Sequence, residues 1–243
     1  MRTQHLVLAA ALVLGATSVV HAQAMHGMDM SSASESMSGD LMPMAHMTMT
    51  SLASPKAGDA ARASAIVDTL RTSIGKYRDY HAALGDGFTI FMPKIPQKVY
   101  HFTSKANGLR AVFHFDPSRP TSLLYRKNAD GGFTLVGAMF TAPKRATLED
   151  LDARVPLSVA EWHMHTNLCI PPRAERKQLL AEGDSTHEFG LRGSITTQAA
   201  CDAAGGRFLP TVFGWMVHVQ PFETNPALVW GTHEDEHHAM TGR

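Results

Sequence analysis

Two hydrophobic periods divide the chain. Over Asp59 to Leu84 the apolar positions Ile66, Val67, Leu70, Ile74, Tyr77 and Leu84 recur three or four apart, the spacing of one helix face. Asp59 is the expected cap and Gly85-Asp86-Gly87 the stop. From Phe88 the period falls to two. Strands are predicted over Val99–Thr103, Leu109–Asp116, Ser122–Arg126, Phe133–Phe140, Ser158–Cys169 and Gly214–Phe222, parted by turn signals such as Asn107-Gly108 and Asp130-Gly131-Gly132. Two short helices, Arg173–Glu182 and Thr197–Ala204, interrupt this late in the chain. The pattern predicts a mainly β fold, a single β-sandwich or small barrel with an N-terminal helix and a short helical insertion, over residues 59–243.

Within the strands the alternation sorts histidines from large apolar residues, because successive side chains point to opposite faces. His101 opposes Tyr100 and Phe102, and His114 opposes Phe113 and Phe115. His163, His165 and Asn167 oppose Trp162, Met164 and Leu168, and His218 with Met216 opposes Trp215, Val217 and Val219. If these strands are neighbours, His101, His114, His163, His165 and His218 line one surface. The His163-x-His165 pair is the sharpest candidate for gripping a metal ion, with His218 as third ligand. His101, His114, Glu161 or Met216 are candidates for a fourth position, and Asn167 for orienting a ligand. A cluster of histidine and acid from His233 to His238 forms a second, weaker candidate at the C-terminus.

Composition narrows the chemistry. Lys+Arg and Asp+Glu each number 22, for a formal net charge of zero, so there is no basic footprint for nucleic acid. No Gly-x-Ser-x-Gly elbow, phosphate loop or dinucleotide glycine fingerprint occurs. The first 24 residues, with Arg2, an apolar run from Leu6 to Val20 and Ala22-Gln23-Ala24, predict a secretory signal peptide and hence a periplasmic or secreted protein with no membrane span after cleavage. Export in turn predicts that the two cysteines, Cys169 and Cys201, form a disulfide worth on the order of 3 kcal/mol. The alternative is Cys169 as a thiolate ligand beside the His-x-His pair.

Residues 25–58 are expected to form a disordered arm. They carry Met25, Met28, Met30, Met37, Met42, Met44, Met47 and Met49 with His26 and His46 among small and polar residues. Thioethers are soft ligands that suit Cu(I) better than Zn(II). This segment resembles the Met/His-rich stretches of periplasmic copper-handling and copper-resistance proteins, a likeness of composition over this arm alone. The resemblance implies copper as the metal and a periplasmic metal-transfer partner.

Three functions follow as expectations. The first is an exported protein that binds a metal, copper before zinc, in storage, delivery or resistance through His163, His165 and His218. The second is a secreted metalloenzyme, a copper oxidase-type site or a zinc hydrolase, using the same histidines with Glu161 as general base. The third is a disulfide-stapled β domain whose histidines are structural.

Overall fold

The computed structural model of the protein describes residues 44–94, 97–173, 175, 188–191 and 193–231. The expected signal peptide, most of the methionine-rich arm, nearly all of the expected Arg173–Glu182 helix and the C-terminal histidines lie outside the described residues.

The protein is mainly β. Its strands are β1 (Met47–Met49), β2 (Thr89–Ile90), β3 (Tyr100–Thr103), β4 (Ser122–Lys127), β5 (Phe133–Ala142), β6 (His163–Ile170) and β7 (Arg207–Val219). They form one antiparallel sheet in the order β1-β6-β7-β5-β4-β3-β2, with β1 and β2 at the ends of the order and, among the described residues, no closure into a barrel. The helices are α1 (Asp59–Ile74), α2 (Tyr80–Gly85), α3 (Lys105–Phe113), α4 (Leu148–Arg154) and α5 (Gln198–Ala203). None of the described helices is long and apolar enough to cross a membrane.

The main core fills one face of the sheet. The α1 stripe of Ile66, Val67, Leu70 and Ile74 packs in one cluster with Tyr100, Phe102, Leu123, Tyr125, Phe140, Val217, Val219 and Trp162. These strand residues are the apolar halves of the alternation, so the opposite face is left to the histidines. A smaller cluster of Leu124, Met139 and Met216 lies there.

Strand β7 explains the sandwich-like curl. Its last five residues, Trp215–Val219, pair with β5, while Arg207–Val212 pair with β6 alone. A strand bends where its ladder is interrupted, commonly at a bulge. The corner falls at Phe213, whose φ is +64°, and Gly214. Opposite it the β6–β7 register shifts between His163 and His165. Glycine is needed there by close approach, since a Cβ on Gly214 would overlap the Ala142 carbonyl oxygen. The curl shows where the sheet's far side reaches back. Phe91, beside β3, meets Phe213 edge to face at 5.7 Å between ring centroids.

The disulfide forms. Cys169, near the end of β6, is bonded to Cys201 of α5, with Cα atoms 5.6 Å apart. This removes Cys169 from any role as a thiolate ligand. Gly206 lets β7 start against the bridge, for a Cβ there would lie 2.6 Å from the Cys169 sulfur.

Several sequence expectations need correction. The segment Leu109–Asp116 is not a strand; residues 105–113 are helix α3, whose cap Ser104 accepts a hydrogen bond from the Asn107 amide. Asn107-Gly108 is therefore inside a helix rather than a turn. The expected long helix is broken into α1, a 3-10 turn (Gly75–Arg78) and α2, because Asp79 is extended and caps α2 by accepting from the His81 amide. Asp59 does not cap α1; Gly58 holds that place at φ +89°. The Asp59 carboxylate instead accepts from the Lys56 amide at 2.9 Å and the Ser158 hydroxyl at 2.6 Å. The strand expected from Ser158 begins only at His163, and the one expected from Gly214 runs from Arg207 to Val219. The last part of the expected disordered arm is ordered, with a 3-10 turn at Met44–His46 and β1 after it.

The corner and the helix end give a paired prediction. Gly214→Ala is expected to lower unfolding free energy by about 1–3 kcal/mol through overpacking. Gly75→Ala, where a Cβ meets nothing within 4 Å and φ is −54°, is expected to be neutral or stabilising by up to about 1 kcal/mol. Urea unfolding of both variants checks the pair, and equal effects would refute the corner's tight packing.

Candidate metal centre

The curled face carries four histidines from three strands. His163 and His165 come from β6, His218 from β7 and His101 from β3. Their rings form a chain, with centroids 5.6 Å apart for His101–His218, 5.0 Å for His218–His163 and 5.6 Å for His163–His165. On a flat sheet β3 and β7, with β4 and β5 between them, would stand about 14 Å apart. The curl brings their imidazoles into van der Waals range.

Burial keeps His101, His163 and His165 uncharged. Burial first, and then the neighbouring His165 and His101, pushes the His163 pKa down to about 3. Burial first, and then His165, lowers that of His101 to about 4, partly opposed by a hydrogen bond to the Val99 backbone. His165 is lowered to about 4, by burial and then by His46. Neutral imidazole is the form with a free lone pair for a metal. Among the described residues, two buried side-chain atoms find no hydrogen-bond partner, Trp162 Nε1 and His165 Nδ1. An orphaned buried polar atom costs about 1–3 kcal/mol, which a bound ligand at His165 would offset.

The site is not a finished coordination set of hard and imidazole ligands. Among the described residues, no group of three or more His, Cys, Asp or Glu side chains is arranged to hold a metal ion. The rings are close neighbours that have not closed around a common point.

The other candidates fall in different places. His114 follows helix α3 as its C-terminal cap and lines a shallow surface cavity with Arg110, Phe115 and Thr141, so it is not one of the sheet histidines. Glu161 precedes β6 and lies outside the ladder. Met216 stands directly across from His163. Asn167 does not orient a ring of the group. At φ +55° it turns out of the strand pattern, and its amide donates to the Ala45 carbonyl at 2.8 Å.

His46 had no distinguishing signal in the sequence, yet it is fully buried. Its ring nitrogens lie 3.0 Å from the Asn167 carbonyl oxygen and 2.6 Å from that of Gly193. It pins the arm's end onto β6 and onto the loop before α5. The signal was hidden because a histidine in a low-complexity segment has no periodic context to mark it as buried.

Comparison of the chain with protein-family models, curated proteins and solved structures returns no match.

The depressed histidine pKa values set a pH dependence. In the unfolded chain these rings protonate near pH 6.5, and in the folded protein only near pH 3–4. The unfolded state thus binds more protons in between, so stability is full above about pH 6.5 and is lost as pH falls toward 4. His163→Leu is expected to flatten that loss, by on the order of 2 kcal/mol at pH 5. Denaturant unfolding of both proteins at pH 7.5 and pH 5 measures it, and identical slopes would contradict the buried neutral ring.

Proposed function

We propose that this protein binds a transition-metal ion at the histidine face, through His163, His165 and His218 with His101 beside them. The observation that carries this reading is the convergence of imidazoles from three strands. Nitrogen ligands bind such ions at about 2.0–2.1 Å, which places the centroids of two rings on one tetrahedral ion roughly 5 Å apart. The spacings of 5.0 and 5.6 Å along the chain of rings lie close to this value. Small side-chain rotations would bring lone pairs onto a common ion. The low pKa of the rings and the orphaned His165 Nδ1 support the same reading.

The metal proposed is copper, with zinc as the alternative. Imidazole alone accepts either, and the thioethers of the arm and of Met216 favour the softer ion. The physiological role is metal storage, delivery or resistance in the periplasm or outside the cell. That placement is supported by the signal-like first 24 residues and by a disulfide of the kind that persists in oxidising compartments.

Metal analysis of the purified protein tests the reading. The wild type is expected to retain about one equivalent of copper or zinc after gel filtration, and His163→Ala plus His165→Ala is expected to retain none. Equal, near-zero metal in the two proteins would sink the proposal.

A further inference from the structure

Strand β1 is three residues long, yet its register is fixed at both ends. On one side the His46 ring sits against the Asn167 and Gly193 carbonyls, and the Asn167 amide donates to Ala45. On the other, the Thr50 amide donates to the Trp162 carbonyl at 2.8 Å and the Trp162 amide donates to the Thr50 hydroxyl at 3.0 Å. A slip by one residue would turn every β1 side chain to the opposite face, so this anchoring selects which residues join the histidines.

The register selects methionines. Met49 stands directly opposite His163, and Met47 directly opposite His165. On the other side of β6, His163 stands opposite Met216, and across β7 His218 stands opposite Met139. Directly opposed residues of an antiparallel pair share a face, with Cβ atoms about 4.5–5.5 Å apart. Met49, His163 and Met216 thus form one row across three adjacent strands, with an imidazole between two thioethers. This row sets thioether sulfur, a soft donor, directly across both neighbouring strands from the imidazole.

We infer that the site is a mixed imidazole–thioether centre for Cu(I), in which Met49 and Met216 flank His163 and Met47 supports His165. This rests on the metal-binding reading above and adds the oxidation state and the ligands that select it. The final Met-x-Met of the arm is then part of the folded site rather than a tether beside it. An ion held between β1 and β6–β7 also ties down the edge strand, so metal binding and docking of the arm are one equilibrium. Zn(II), which has little affinity for thioethers, draws on the imidazoles alone and leaves β1 as it was.

The test uses the full chain with Met47→Leu plus Met49→Leu, which keeps side-chain volume and the apolar character of β1. Cu(I) affinity, read by competition with a chromogenic Cu(I) chelator under reductant that spares the disulfide, is expected to fall roughly 10–100-fold. Zn(II) affinity is expected to stay within about twofold. In the wild type, adding one equivalent of Cu(I) is expected to slow hydrogen exchange at the amides of residues 47–50, a readout that needs no variant. Unchanged Cu(I) affinity in the methionine variant, or unchanged exchange in the wild type, overturns the inference. If His163→Ala plus His165→Ala still removes the metal in that case, the metal-binding reading stands without it. If the histidine variant binds Cu(I) and Zn(II) as the wild type does, both fall together.

Discussion

The curl of the sheet at the β7 corner is the constraint on which the histidine group depends. A flat sheet would leave His101 three strand spacings from His218. The corner at Phe213 and Gly214, the register shift opposite it in β6, and a second shift between Leu124 and Tyr125 in β4 break the regular ladder, and the Phe91–Phe213 and His101–His218 contacts show strands of the two ends brought together. One backbone feature sets both the packing of the main core and the crowding of the imidazoles.

The same curl accounts for the electrostatics. A histidine on an open sheet face titrates near its usual value, because water solvates its charged form. Buried rings pressed against one another lose that water, and a charged ring would repel its neighbours. His101, His163 and His165 are held neutral first by burial and then by neighbouring imidazoles.

Much of this face was legible as alternation. Tyr100-His101-Phe102 and Trp215-Met216-Val217-His218-Val219 each separate large apolar residues from histidine, and in the folded protein the apolar members are in the main core. Alternation also misled. Ala111, Phe113 and Phe115 alternate with Val112 and His114, but Ser104 caps a helix there, and Phe113 and Leu109 are among the most exposed apolar residues described. A helix that leaves its apolar residues in water has no period to betray it. The arm failed for the opposite reason. Its last residues offer little beyond methionine for burial, and hydrogen bonds of His46, Thr50 and Asn167, which no hydrophobic pattern encodes, fix their place. Strand β1 and its methionines were therefore invisible as structure, although visible as composition.

The pinning of His46 has a consequence for how the chain assembles. Its partner Asn167 lies 121 residues further along the sequence, so the contact is strongly non-local. Closing so long a loop costs entropy before any bond repays it, and such pairings form late. Strand β1 has nothing to pair with until β6 is in place, and β6 takes most of its own ladder from β7, near the end of the described chain. The arm must thus remain undocked through most of folding. A molecule whose arm has docked is one whose sheet is already complete, so the docked edge strand serves as a marker of maturity.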